Sequence, residues 1–131
     1  MARRTVDDLL REARARIARV SPAAAWEAMG GGALLVDVRP ESQRSRDGEV
    51  PGAVAIGLDV LEWRLDPDSP SRFARVALDR PVIVLCNQGY SSSLAGARLV
   101  DLGFTSVADI EGGFEAWVAA DLPITAAGEA L

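Results

Sequence analysis

A lone cysteine, Cys86, stands between four apolar residues, Val82 to Leu85, and a polar run, Asn87-Gln88-Gly89-Tyr90-Ser91-Ser92-Ser93. A thiol so placed suits nucleophilic chemistry. The apolar run reads as a buried strand and the Ala/Leu-rich stretch after the loop as a helix. The sulfur therefore lies at the carboxyl end of a strand and before a helix amino terminus. Unpaired N–H groups there favour an anion, hence thiolate over thiol. A loop that curls about its own cysteine turns the N–H groups of roughly Asn87 to Ser92 toward one spot, an anion nest that requires no general base. Gly89 permits the curl through its freedom in φ, while the Ser91 and Ser92 hydroxyls are placed to cap the helix and to donate into the nest. Plainer readings stand beside this one: Cys86 as a small buried hydrophobe, and Gly89 with the serines as an ordinary turn and cap.

The residue types that are missing narrow the chemistry. The chain has no histidine and a single cysteine, which removes the usual zinc-ligand sets, the Ser-His-Asp triad, the Cys-His pair and any internal disulfide. Neither a metal nor an organic cofactor is expected. A length of 131 residues with 49% hydrophobic content suits one domain with a proper core. The amino terminus carries acids where a signal peptide needs an apolar run, and no stretch approaches the length of a membrane span, so a cytoplasmic protein without a membrane partner is expected. Residues 1–19 hold six arginines against Asp7, Asp8 and Glu12, whereas the remainder holds eight arginines against sixteen acids, and there is no lysine. An acidic body argues against nucleic acid as a partner.

The elements that must position the cysteine follow from periodicity and punctuation. Thr5 as a cap, Asp8 at the third helical position, and Val6, Leu9, Leu10, Ala13, Ile17 and Val20 at helical spacing predict an amphipathic helix of about four turns. This extension, residues 1–19, is expected to lie on the domain or on a second subunit, and helix 5–19 is the candidate surface for a partner or for self-association. Ser21-Pro22 starts a second helix that Gly30-Gly31-Gly32 stops; glycines ahead of a strand rather than after it make no phosphate cradle. Residues 33–38 (ALLVDV) form a doubly buried strand, and Asp37 and Arg39 at its end fit a structural ion pair that fixes a loop. A short helix at 41–46, a turn at 48–53, a strand at 54–56 and a helix carrying Leu58, Leu61 and Leu65 come next. Residues 66–71 are a loop, and Phe73, Val76 and Ala77 make a helical face. Beyond the cysteine loop, Leu94 to Leu102 form a helix closed by Gly103, 107–110 a strand, and Glu111-Gly112-Gly113 a turn into a last helix. Strands alternating with helices place the chain in the α/β class, with a parallel sheet covered on both faces.

Four segments then carry a resemblance: Asp37-Val38-Arg39; Gly48-Glu49-Val50-Pro51-Gly52-Ala53; Cys86-Asn87-Gln88-Gly89-Tyr90-Ser91-Ser92; and Glu111-Gly112-Gly113-Phe114-Glu115-Ala116-Trp117. In this order they resemble the signatures of single-domain rhodaneses, a sulfurtransferase family. The resemblance implies a rhodanese-like three-layer domain over residues 20–131, built on a parallel five-stranded sheet with helices on both faces. It also implies an activity, the movement of sulfane sulfur from a donor such as thiosulfate or a persulfide, through a persulfide on Cys86, to cyanide or a thiol. Asn87, Gln88, Gly89, Tyr90, Ser91 and Ser92 would form the substrate-binding loop, with Asp37, Arg39 and Glu111 as structural neighbours.

Three positions depart from that pattern: Glu49 replaces a frequent histidine, Asp121 a frequent glycine, and Ser91 a common arginine. The third leaves the loop without a charged side chain. It points away from the cysteine-based phosphatases and arsenate reductases that share the fold, whose loops clamp an oxyanion with arginine. It also predicts weak capture of dianionic thiosulfate. A non-catalytic rhodanese-like binding or regulatory module is the alternative from another class. Since residues 1–19 precede the resemblance, the domain is expected to fold without them.

Overall fold

The computed structural model describes residues 2–127. Five strands, β1 (Ala18–Val20), β2 (Leu34–Asp37), β3 (Val54–Ala55), β4 (Val82–Leu85) and β5 (Val107–Ile110), form one parallel sheet in the order β1-β5-β4-β2-β3. β2 and β4 lie side by side in the middle, Leu34 opposite Val82 and Asp37 opposite Leu85. The chain runs outward in opposite directions from this pair, to β3 on one side and to β5 on the other. The crevice at their carboxyl ends is therefore the switch point where open α/β sheets receive ligands. Cys86 follows β4 directly into it.

Burial on both faces explains why β2 and β4 read as unbroken apolar runs. Leu34, Val36, Val82 and Val84 point to one face, where they pack with Leu61 and Leu65 of α4 (Leu61–Leu65) and with Ala95 and Leu99 of α5 (Ser91–Leu102). Leu35, Ile83 and Leu85 point to the other, beside Ala25 of α2 (Pro22–Gly30) and Phe114 and Trp117 of α6 (Gly113–Ala119). Trp26 stands edge-on to Trp117, ring centroids 5.8 Å apart. The helix signals act as expected. Ser21 accepts from the Ala24 N–H with Pro22 at the first position, and Gly103 closes α5 in the left-handed region at φ 108°. A further short helix, α3 (Glu41–Asp47), follows β2, and a 3₁₀ turn, Leu58–Val60, leads into α4. Among the described residues no helix is long and apolar enough to cross a membrane.

The structure differs from the sequence expectation mainly at the amino terminus. The Thr5–Asp8 capping box forms, but the helix, α1 (Val6–Arg14), ends about one and a half turns early and residues 18–20 become the edge strand β1. Pairing with β5 decides the matter, because three residues at an edge carry too little periodicity to outweigh a helix-like pattern that precedes them. The expected boundary after residue 19 thus falls inside a strand. The apolar face of α1 is turned inward: α1 packs on α5 with Ala13 buried, and Ile17 sits against Gly96 of α5, where an added Cβ would come within 3.3 Å of it. Val6 and Leu9 stay exposed. The helical face expected at Phe73 and Val76 is a series of turns whose two apolar side chains still pack on the core.

Deleting residues 1–20 is therefore expected to destabilise the domain by about 2–5 kcal/mol, the range for losing large core side chains. It also leaves β5 as an open edge, which promotes self-association. Urea unfolding and light scattering check both effects; an unchanged midpoint would contradict the packing of α1 and β1.

Candidate active site

The cysteine loop closes on its own sulfur. The Gly89 N–H donates to Cys86 Sγ at 3.1 Å and the Ser92 N–H at 3.4 Å, and Cys86 is 5% exposed. Gly89 makes this curl possible with φ 87°, and a Cβ there would meet the Gly112 nitrogen at 2.8 Å. Tyr90 occupies the cap position of α5, so Ser91 and Ser92 are its first two helical residues rather than its caps. Burial by itself would push the Cys86 thiol up. The Ser92 hydroxyl and N–H, the Ser91 hydroxyl and the Gly89 N–H outweigh it and bring the thiol below its ordinary value. Hydrogen bonds to a charged acceptor contribute about 1.5–3 kcal/mol each, which is why several together overcome desolvation. The Ser92 hydroxyl has one proton for two acceptors, since it also lies 2.8 Å from Asp109 Oδ2. Asp109 keeps other donors when that proton turns to sulfur.

Those other donors belong to a frame around the loop. Asp109, on β5 and fully buried, accepts from the Ser93 hydroxyl at 2.8 Å and from Arg19 Nε at 3.0 Å. Arg19 Nη2 donates to Gly89 O at 2.9 Å, and Arg14 Nη2 to the same oxygen at 2.8 Å, with Arg14 Nε reaching Ser93 Oγ at 3.0 Å. From the far side, the Phe114 N–H donates to Cys86 O at 2.8 Å and the Glu115 N–H to Asn87 O at 3.1 Å. The Glu115 carboxylate holds the side-chain amides of Asn87 and Gln88, each at 3.2 Å. Gly113 has no room for a side chain, because a Cβ would lie 2.5 Å from Cys86 O.

A pocket of about 250 Å³ opens on the sulfur, lined by Arg39, Pro40, Leu58, Cys86, Tyr90 and Ser91 among others. Asn87 and Gln88 complete its rim, while Gly89 and Ser92 stand behind the sulfur. Arg39 lines it and forms a buried pair with Asp37 at the end of β2, Arg39 Nη2 to Asp37 Oδ2 at 2.7 Å. The same Nη2 donates to Gly48 O at 2.9 Å, and the guanidinium lies 3.9 Å over the Phe114 ring. Its Nη1 is buried without a hydrogen-bond partner among the described residues. Glu111 is exposed and its N–H bonds Val20 O, tying β5 to β1 rather than touching the loop. A larger pocket, about 540 Å³ beside Trp26, Ala33 and Arg80, sits at the amino ends of β2 and β4, away from the thiol. No cluster of metal-ligating side chains occurs among the described residues.

Arg14, Arg19, Ser93 and Asp109 were not among the expected site residues. One signal was readable, an acid at the centre of the apolar strand VADI, which requires a buried partner. Its partner was not readable, because Arg19 stands opposite Asp109 only through the β1–β5 register.

Comparison with known proteins agrees with this geometry. A model of the rhodanese-like domain matches residues 21–120. A thiosulfate sulfurtransferase GlpE of Pseudomonas entomophila (strain L48) is 40% identical over 100 residues, covering 76% of this chain and 83% of that protein. Its counterpart in Haemophilus influenzae (strain PittEE) is 36% identical over 109 residues, covering 82% and 94%. A solved structure from Rhodopseudomonas palustris CGA009, of unknown function and described as a possible tyrosine phosphatase, superposes with a TM-score of 0.86 at 33% identity, over 95% of this chain and 97% of that one. The four ordered motifs, the sheet order and a match across most of the length lead to one assignment: the chain belongs to the rhodanese-like domain family.

Proposed function

We propose that this protein is a sulfurtransferase that carries sulfane sulfur as a persulfide on Cys86. The observation that carries the reading is the pair of backbone N–H groups, Gly89 and Ser92, aimed at the sulfur on the floor of the pocket. The relatives' name, thiosulfate sulfurtransferase, supports it. In the first step the Cys86 thiolate attacks the outer sulfur of the donor. The new S–S bond forms as the donor's S–S bond breaks, and sulfite leaves from thiosulfate or a thiolate from a persulfide. In the second step cyanide or a thiolate attacks that outer sulfur, and the electron pair of the broken bond returns to Cys86 Sγ. Thiocyanate or a new persulfide departs. The nest stabilises the thiolate both as nucleophile and as leaving group, so no cofactor enters the balance.

Phosphate-ester chemistry is the weaker reading. Ser91, Ser92 and Ser93 offer no guanidinium to the pocket, and Arg14 and Arg19 approach Gly89 from its carbonyl side, away from the sulfur. A purely binding module would have no use for a nest built around a thiolate. The proposal includes a cytoplasmic setting, which suits a protein relying on one reduced thiol, and small-molecule partners rather than nucleic acid. Docking or self-association through the first helix would have to use Val6 and Leu9, the exposed part of its apolar face.

Incubation with sulfane donors is expected to add the mass of one sulfur to the intact protein, and Cys86→Ser to abolish both the gain and the transfer. Sulfur transfer by the Cys86→Ser protein would exclude the mechanism. Because the thiol is held below its ordinary value, the fraction of thiolate at a given pH is raised, and alkylation should reach its plateau at lower pH than for a free cysteine. Gly89→Ala, which must displace the loop, should move that profile upward, with a roughly tenfold loss of thiolate below the midpoint for each pH unit.

Donor preference gives a further outcome. Among the described residues the pocket has no free cation, since Arg39 is committed to Asp37, so Ser91→Arg is expected to lower KM for dianionic thiosulfate. Added salt should blunt the gain. Initial rates at two ionic strengths measure this, and an unchanged KM would mean that backbone N–H groups alone select the donor.

A further inference from the structure

Two guanidinium groups converge on a single carbonyl. Arg14 Nη2 and Arg19 Nη2 both donate to Gly89 O, at 2.8 and 2.9 Å, and Gly89 is the residue whose N–H meets Cys86 Sγ. Both arginines precede residue 21, where the match to the family model begins. Their second arms close a ring of hydrogen bonds: Arg14 Nε donates to Ser93 Oγ, the Ser93 hydroxyl to Asp109, Arg19 Nε to Asp109, and both arginines to Gly89 O. The ring contains two positive charges and one negative. Asp109 is fully buried and the Arg19 side chain only 23% exposed, so solvent screens this imbalance poorly. Ser92, whose hydroxyl bonds Asp109 and whose N–H meets Sγ, connects the ring to the sulfur. The other charges facing the loop are Glu115 of α6, held on Asn87 and Gln88, and the internally neutral Asp37–Arg39 pair at the end of β2.

We propose that Arg14 and Arg19 are positioning residues of the sulfur-transfer loop, which the amino-terminal segment supplies from outside the loop's own sequence. They hold the Gly89 carbonyl outward so that the Gly89 and Ser92 N–H groups face Cys86 Sγ, and they provide the positive charge that Ser91 leaves missing. The excess charge of the ring is balanced when Cys86 is a thiolate. A neutral donor could hold the carbonyl equally well; only a cation also offsets Asp109. Arg19 has the second task in particular, because without it a buried carboxylate stands unpaired one hydroxyl away from the sulfur.

The test uses the full chain and reads the pH profile of Cys86 alkylation by iodoacetamide, with folding followed by circular dichroism and thermal unfolding. Arg19→Gln is expected to raise the midpoint by about one pH unit, a roughly tenfold loss of thiolate below it. Arg14→Gln should raise it by less. Adding Asp109→Asn to Arg19→Gln should recover most of the shift, since the unpaired carboxylate is then gone; a merely structural contact would predict further damage instead. Arg14, half-buried at the surface, keeps the test in hand should Arg19→Gln fail to fold. Unchanged midpoints in the folded single variants, or a double variant no better than Arg19→Gln, overturn the proposal. The turnover arm rests on the sulfurtransferase reading: with a persulfide donor, kcat should fall with the thiolate fraction while KM changes little. Alkylation requires no sulfur donor, so absence of sulfur loading in the unaltered protein defeats that reading alone and leaves the alkylation result to decide this one.

Discussion

A buried thiolate must be solvated by the protein, and here the Ser91 and Ser92 hydroxyls and the N–H groups of Gly89 and Ser92 are placed to do it. Turning the N–H groups of a tight loop inward has an unavoidable counterpart, because the carbonyls of the same peptides turn outward and need donors of their own. Cys86 O and Asn87 O find the first N–H groups of α6, and Gly89 O finds two arginines. The anion at the centre and the donors at the periphery are thus two sides of one requirement. An unpaired buried carbonyl would cost about as much as a nest hydrogen bond contributes, so a loop without its outer donors would gain little from its inner ones.

The sheet supplies the fixed ground for this loop. β2 and β4 end together at the switch point, which sets Cys86 against the Asp37–Arg39 pair. That pair reaches Gly48 and stacks on Phe114, so one buried guanidinium joins β2, the following turn and α6. Gly112 and Gly113, at φ 75° and 62°, then let α6 begin close enough to touch the loop backbone. The pocket owes its shape to these packing relations more than to the residues that line it.

Much of this was legible in the chain. Val82 to Ser93 read as strand, loop and helix because apolar run, glycine and helical spacing occur in immediate succession, and each signal is local. The same holds for the Thr5 and Ser21 caps and for Gly103. What escaped was non-local. Residues 18–20 continue a helical pattern in sequence, and only the exposed edge of β5 makes them a strand. Arg14 and Arg19 counted only among the six arginines of residues 1–19, although both are spent on the loop. The turns around Phe73 kept their apolar contacts without the helix that periodicity suggested, since packing needs the side chains there and not the backbone form.

The frame around the thiol draws on chain segments far apart, Arg19 and Asp109 being ninety positions apart in sequence. β1 has no sheet to join until β5 is in place, and Cys86 O and Asn87 O lack their donors until Phe114 and Glu115 are in place. Contacts of such high sequence separation form late and carry a large loop-closure cost. The loop around Cys86 is therefore framed only once β5 and α6 close over it. The surroundings of the thiol are thus complete only when β1 meets β5 and α6 meets the loop.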